Sequence, residues 1–226
     1  MLNREGAGVR HAGAPGDLKF RKRLAAMPVT VRPTKADIEI ARAIARRTSR
    51  APEEVSQDVT WGADEHVLIG LAVGWWIWAR TCTPQQQRAA DHVLLTLAAA
   101  SAAPHLLKGA FDQIRPDRKT VIGHLHGVPL SGNAYDAFPS GHAMHVGALA
   151  SAATELPPAQ RNVVWAIGAV LVSTRVVLLA HWTSDVLAGL ALGAVLERGL
   201  RFLTGYGRAP TETPGLERQK VPKNKT

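Results

Sequence analysis

The chain has 226 residues, enough for one sizeable core. It carries a formal net charge of +9, is 46% hydrophobic by residue, and has a single cysteine, Cys82. One cysteine excludes a disulfide framework and a Cys-based metal site. The basic residues flank apolar runs instead of forming a stripe on a polar domain, and no nucleic-acid motif accompanies them. Membrane association is therefore expected, with no nucleic-acid partner.

The apolar residues are bunched. Residues 1–65 hold 12 Lys and Arg against 9 Asp and Glu, and residues 197–226 hold 7 against 3. Nearly all long apolar runs lie between 66 and 203, which is how 46% apolar content coexists with a mean hydropathy of -0.03. Residues 1–34 read as a flexible basic tail without periodicity. Arg4 and Arg10, with no apolar stretch following, do not form a signal peptide.

Within residues 35–65, an amphipathic helix and linker, the spacing of Ile38, Ala41, Ile44 and Ala45 predicts a short helix over 35–47. It suits either a helix lying on a membrane surface or a solvated helix packed on the rest of the protein. Residues 66–204 form the core. Five apolar helices are predicted there, over 66–79, 93–107, 143–156, 163–180 and 186–203.

Five such helices with hardly a charge inside favour a membrane bundle, although several are short or interrupted against the roughly 20 apolar residues of a spanning helix. Trp75, Trp76 and Trp78 resemble an interfacial belt, and Gly189 and Gly193 fall at helix-packing spacing. Strand patterns are absent. The expected fold is all-α, an integral membrane bundle of about five spanning helices with an N-terminal amphipathic helix. Residues 205–226 form a basic C-terminal tail.

Ionisable residues in apolar surroundings are costly and point to function. Lys108 and Arg115 lie two helical turns apart, with Pro116 marking the exit into a loop. Two cations on one face suit a phosphate dianion; taken alone, the pair is better read as snorkelling at a membrane boundary.

Pro139-Ser140-Gly141-His142 precedes the third apolar helix. The N–H groups of Ser140, Gly141 and His142 would form an anion site at a helix N-terminus, and His142 can exchange a proton near neutral pH. The alternative is an ordinary helix start with a boundary histidine.

Thr174-Arg175, His181 and Asp185 form the third cluster. Arg175 sits inside an apolar run, which is costly unless it meets an anion. Asp185, four residues after His181, can accept from one ring nitrogen and make the other a better nucleophile. A structural His–Asp pair is the alternative.

The three clusters, in this order and spacing, resemble the type 2 phosphatidic acid phosphatase superfamily over roughly residues 94–203. Its signatures read Lys-six-Arg-Pro, Pro-Ser-Gly-His and Ser-Arg-five-His-three-Asp. The one departure is Thr174 where serine is usual; its hydroxyl is expected to preserve phosphate binding.

The resemblance implies a metal-independent phosphatase without cofactor. Lys108, Arg115, Ser140, Gly141 and Arg175 would bind phosphate. His181, oriented by Asp185, would attack phosphorus to give a phosphohistidine, with His142 as proton donor and then base.

A lipid phosphate or pyrophosphate is the implied substrate, such as undecaprenyl pyrophosphate, phosphatidate or phosphatidylglycerol phosphate. Selectivity is assigned to the loop over 117–138. The expected location is the inner membrane, active site on the extracytoplasmic side: the basic C-terminus and the loop with Arg80 and Arg88 suit the inside, while the basic N-terminus opposes.

The rival readings are an inactive scaffold of the same fold, a phosphatase of soluble phosphomonoesters, and a vanadium haloperoxidase. Among other histidines, His124 and His126 belong to the loop over the site, and His145 is either packed or supports His142. His66, His92 and His105 lie at helix ends or pack, and Asp112 pairs with a nearby cation.

Overall fold

The computed structural model describes residues 29–119 and 134–207. Among them are seven α-helices: α1 (Lys35–Arg47), α2 (Arg50–Thr60), α3 (Glu65–Ala79), α4 (Pro84–Lys108), α5 (Gly141–Ala152), α6 (Pro158–Val177) and α7 (Thr183–Thr204). A single helical turn covers Pro116–Lys119. The five apolar helices predicted from sequence are α3 to α7. The helix α2 falls in what was read as linker.

Local chemistry sets several starts. Thr34 and Asp37 cap α1 reciprocally, and Thr83 and Gln86 do the same for α4, which has Pro84 in its first turn. Gly205, at φ 68°, closes α7 in the left-handed conformation that glycine accepts without steric cost.

Two expectations need correction. The fold is not wholly α: β1 (Val29–Thr30) pairs in parallel with β2 (Phe111–Asp112). Two residues are too few to show alternation in sequence. Among the described residues no helix is long and apolar enough to cross a membrane. The reasons are local. At 1.5 Å per residue, the 12 residues of α5 span about 18 Å against about 30 Å of hydrocarbon. The 22-residue α7 is long enough but carries Asp185, Glu197, Arg198 and Arg201.

The centre of the bundle is the contact between α5 and α7, brought close by glycine. A Cβ on Gly147 would lie 2.2 Å from the Leu190 carbonyl oxygen, and one on Gly193 would lie 2.0 Å from that of Met144. The small-residue spacing read from Gly189 and Gly193 is therefore a real helix interface. Ala143, Val146, Val172 and Val186 pack beside it with Ala63.

The helix α1 is packed on the protein. Ile38, Ala41, Ile44 and Ala45 meet Ala137, Leu179 and Trp182. Asp37, buried, accepts from Ser184 N–H at 2.9 Å and Ser184 Oγ at 2.8 Å. This packing fits the second of the two settings considered for α1, a helix packed on the rest of the protein.

Far from this end, Glu197 is fully buried, accepting from His92 Nε2 (3.0 Å), Arg201 Nε (2.9 Å) and Ser151 Oγ (2.5 Å). A buried carboxylate is tolerated because a charged partner and hydrogen bonds surround it. His92 is thus part of a polar clamp joining α4, α5 and α7.

Candidate active site

The three polar clusters come together at one end of the bundle. Lys108 ends α4, Ser140 caps α5, Arg175 lies in the last turn of α6, and Asp185 in the first turn of α7. His181 occupies the turn between α6 and α7.

Backbone bonds knit the clusters. Ser140 N–H donates to the Asp185 carbonyl at 3.3 Å, and the N–H groups of Ala180 and His181 both donate to the Arg175 carbonyl, at 3.1 and 3.2 Å. Arg115 Nη1 donates to the Ala180 carbonyl at 2.9 Å. Leu179 takes φ 51°, a conformation costly for a branched side chain. It is held there because its side chain is buried with Ala41, Ala137 and Trp182.

The ring of His181 is oriented differently from expectation. Its Nδ1–H donates to the Ala137 carbonyl at 2.7 Å, while Asp185 Oδ2 stands 4.0 Å away. A carbonyl can only accept, so Nδ1 carries the proton and Nε2 keeps its lone pair. Asp185 Oδ2 instead accepts from Trp182 N–H at 2.9 Å, serving the N-terminus of α7. Burial, then the positive charges of Arg115 and Arg175, hold His181 well below the usual histidine range. The ring is neutral at neutral pH.

The cations divide into two kinds. Arg175 is 3% exposed; Nη1 donates to Thr60 Oγ1 at 3.1 Å and its buried Nε has no partner. Among the described residues no carboxylate lies within salt-bridge distance of it. Arg115 and Lys108 share a carboxylate: Asp136 Oδ1 is 2.9 Å from Arg115 Nη2 and Asp136 Oδ2 is 3.4 Å from Lys108 Nζ. The acid expected to pair with a cation here was Asp112; the structure places Asp136 in that role, and Asp112 Oδ1 is buried without a partner.

Ser140 is fully buried. Its hydroxyl accepts from Ala143 N–H at 3.4 Å and its own N–H is committed to Asp185. That corrects the expected three-donor anion site, leaving the N–H groups of Gly141 and His142 in the first turn, where a helix offers no acceptor of its own. A Cβ on Gly141 would meet Pro104 only at 3.6 Å, so packing does not demand glycine there.

The ring of His142 lies within electrostatic range of Arg175 and Lys108. His145 is a packing residue, bonded through Nδ1 to the Gly141 carbonyl (2.9 Å) and through Nε2 to Ser101 Oγ (2.8 Å). Thr174 Oγ1 donates back to the Leu171 carbonyl at 2.6 Å, so it offers its proton to its own helix. His124 and His126 lie outside the described residues. Among the described residues, no three His, Cys, Asp or Glu side chains gather as metal ligands would.

Three contributors were missed from sequence: Thr60, Ala137 and Asp136. Thr60 lies in a polar stretch without a motif, and Ala137 acts through a backbone carbonyl that any residue supplies. For Asp136 the only signal was an acidic residue three positions before Pro139.

The site thus gathers a buried arginine with no carboxylate in salt-bridge distance among the described residues, a helix N-terminus and an imidazole whose Nδ1 carries the proton. The PAP2 superfamily sequence profile matches residues 89–204, half of the chain, and the protein belongs to that superfamily.

Among curated proteins, the lipid A 1-phosphatase of Rhizobium johnstonii is 39% identical over 104 residues, 46% of this chain and 43% of that one. That of Rhizobium etli is 39% identical over 103 residues, 45% and 44% of the two chains. The chain thus spans less than half the length of these relatives.

In fold it is similar to Aquifex aeolicus LpxE (TM-score 0.58, 14% identity, 76% of this chain and 98% of that one). It is also similar to a transmembrane PAP2 type phosphatidylglycerolphosphate phosphatase from Bacillus subtilis (TM-score 0.55, 20% identity, 75% and 85%).

Proposed function

We propose that the protein is a membrane phosphatase that hydrolyses a lipid phosphate or pyrophosphate through a phosphohistidine on His181. The observation that carries this reading is Arg175, buried with no carboxylate in salt-bridge distance among the described residues and within electrostatic range of both His181 and His142. Such a charge calls for an anion, and a phosphate supplies one.

In the proposed reaction the Nε2 lone pair attacks phosphorus and the bond to the leaving oxygen breaks. The bonding electrons go to that oxygen, which takes a proton from His142, a ring that the bound phosphate dianion brings to its protonated form. Transfer of the Nδ1 proton is not required, since the Ala137 carbonyl keeps it in place and stabilises the charged ring. Water then attacks the phosphohistidine, giving a proton to His142, and the P–N bond breaks to free phosphate and restore His181. Lys108, Arg115, Arg175 and the N–H groups of Gly141 and His142 would hold the equatorial oxygens, with the Ser140 hydroxyl beside them. Asp185 acts by anchoring the start of α7, which carries the turn holding His181. Metal independence belongs to this proposal.

The bilayer setting rests on two supports. Large apolar side chains face outward along α3, α6 and α7, among them Leu71, Ile77, Trp78, Ile167, Val170, Val195, Phe202 and Leu203. Large apolar side chains exposed in this number on three helices need a partner, and lipid is the simplest one. The second support is the set of relatives named for lipid phosphates. The active site is proposed to face the extracytoplasmic side of the inner membrane.

The test is phosphate release by detergent-purified protein with excess EDTA, from lipid A, undecaprenyl pyrophosphate and phosphatidate, beside His181→Ala. EDTA-resistant release that disappears in the variant is expected, and the preferred lipid identifies the substrate. Release abolished by EDTA would overturn the metal-free step. Undiminished release by His181→Ala would overturn the nucleophile.

A further inference from the structure

The segment 134–137 is fixed against residues 113–115 by three backbone bonds: Gln113 N–H to Tyr135 O (2.9 Å), Ala137 N–H to Gln113 O (3.1 Å) and Arg115 N–H to Ala134 O (3.1 Å). Its residues do two different things. Ala137 turns its carbonyl to His181, while Asp136 extends its carboxylate between Arg115 Nη2 and Lys108 Nζ.

These are the two cations of the first cluster, and a phosphate approaching both would take the donors Asp136 now holds. A dianion beside that carboxylate would meet like charge within a few ångströms, where repulsion is strong. The backbone at 136 is pinned, so the side chain must rotate away for phosphate to enter. Arg175 differs, since among the described residues no carboxylate lies within salt-bridge distance of it.

We infer that Asp136 is an exchangeable counter-ion of the phosphate site, competing with bound phosphate for Lys108 and Arg115 and so setting phosphate affinity. This rests on the phosphate-site reading above. Holding two cations in a partly buried pocket with no anion is unfavourable, and Asp136 offsets that cost when the site is empty. The same carboxylate would help expel inorganic phosphate after the second step. Weak product binding is then built into the site.

The experiment is calorimetric titration of inorganic phosphate into the full chain in detergent, comparing wild type with Asp136→Asn, Asp136→Ser and Asp136→Glu. Two ion pairs of this exposure are each worth up to about fivefold in an equilibrium constant, so the Asn and Ser variants should bind phosphate about tenfold tighter. Asp136→Glu restores the charge and should stay near wild type. A merely structural role would not produce that order.

Phosphate binding that is unchanged or weaker in both neutral variants would overturn the proposal, and would mean that Asp136 props the two cations in place. Two neutral variants guard against one that fails to fold. Phosphate binding to neither wild type nor variants would overturn the phosphate-site reading itself, and this proposal with it.

Discussion

Gly189 offers the sharpest test of how packing supports the site. A Cβ there would lie 2.5 Å from the Ser140 carbonyl oxygen, 2.9 Å from Ala143 Cβ and 3.3 Å from Met144 N. Ordinary contact begins near 3.4 Å, so Gly189→Ala forces α7 away from the start of α5 by about 0.9 Å. Overpacking of this kind costs about 1–3 kcal/mol, against a helix-propensity gain of about 1 kcal/mol for replacing glycine. A net loss of up to about 2 kcal/mol lowers Tm by up to roughly 8 °C in a chain this long.

Activity should suffer more, because the displaced contact is the one joining Ser140 to α7. A shift of about 1 Å in such a support costs on the order of 100-fold. Tryptophan-monitored melting and phosphate release would read the two effects. Gly199→Ala, on the same helix with nothing within 4 Å, is the control and should melt slightly higher with full activity. A Gly189→Ala protein with wild-type Tm and turnover would refute the reasoning.

Arg175→Met removes a buried cation with no carboxylate in salt-bridge distance among the described residues, so Tm should hold or rise while turnover falls by at least about 100-fold; a collapse of Tm would make Arg175 structural. Burial pushes the Asp37 carboxyl up, but bonds from Ser184 and Thr34 outweigh it and hold the group below its usual value. Its contribution is therefore present above about pH 4 and lost as pH falls through the lowered value, and Asp37→Asn should cost about 1–2 kcal/mol at neutral pH by denaturant titration.

His181, also held below its usual value, lets the folded chain bind fewer protons than the unfolded chain below about pH 6.5. Its contribution to stability should be full above that pH and fall beneath it, by up to about 1.4 kcal/mol per pH unit, a share of the slope that His181→Gln should remove.

Much of the helical core was legible from its apolar runs, because a residue such as Val172 must be apolar to be buried. Lys108, Arg115, Arg175 and His181 were legible for the opposite reason: ionisable side chains are expensive in such surroundings. Asp136 and Thr60 were not, since a polar residue in a polar stretch costs nothing and attracts no notice. The orientation of His181 was misread because spacing allows a pairing with Asp185 without choosing it; the Ala137 carbonyl, reached only by folding the segment 134–137 onto residues 113–115, takes the Nδ1 proton instead. The expectation of about five spanning helices is not met among the described residues, because an apolar run records burial, whether by protein or by lipid.

The bond from Arg115 N–H to the Ala134 carbonyl closes the chain on itself at the edge of the site. The Ala137 carbonyl that orients His181 is therefore positioned by pairing to residues 113–115. An orientation fixed by main-chain bonds does not depend on which side chains those residues carry, since every residue but proline supplies the same N–H and carbonyl.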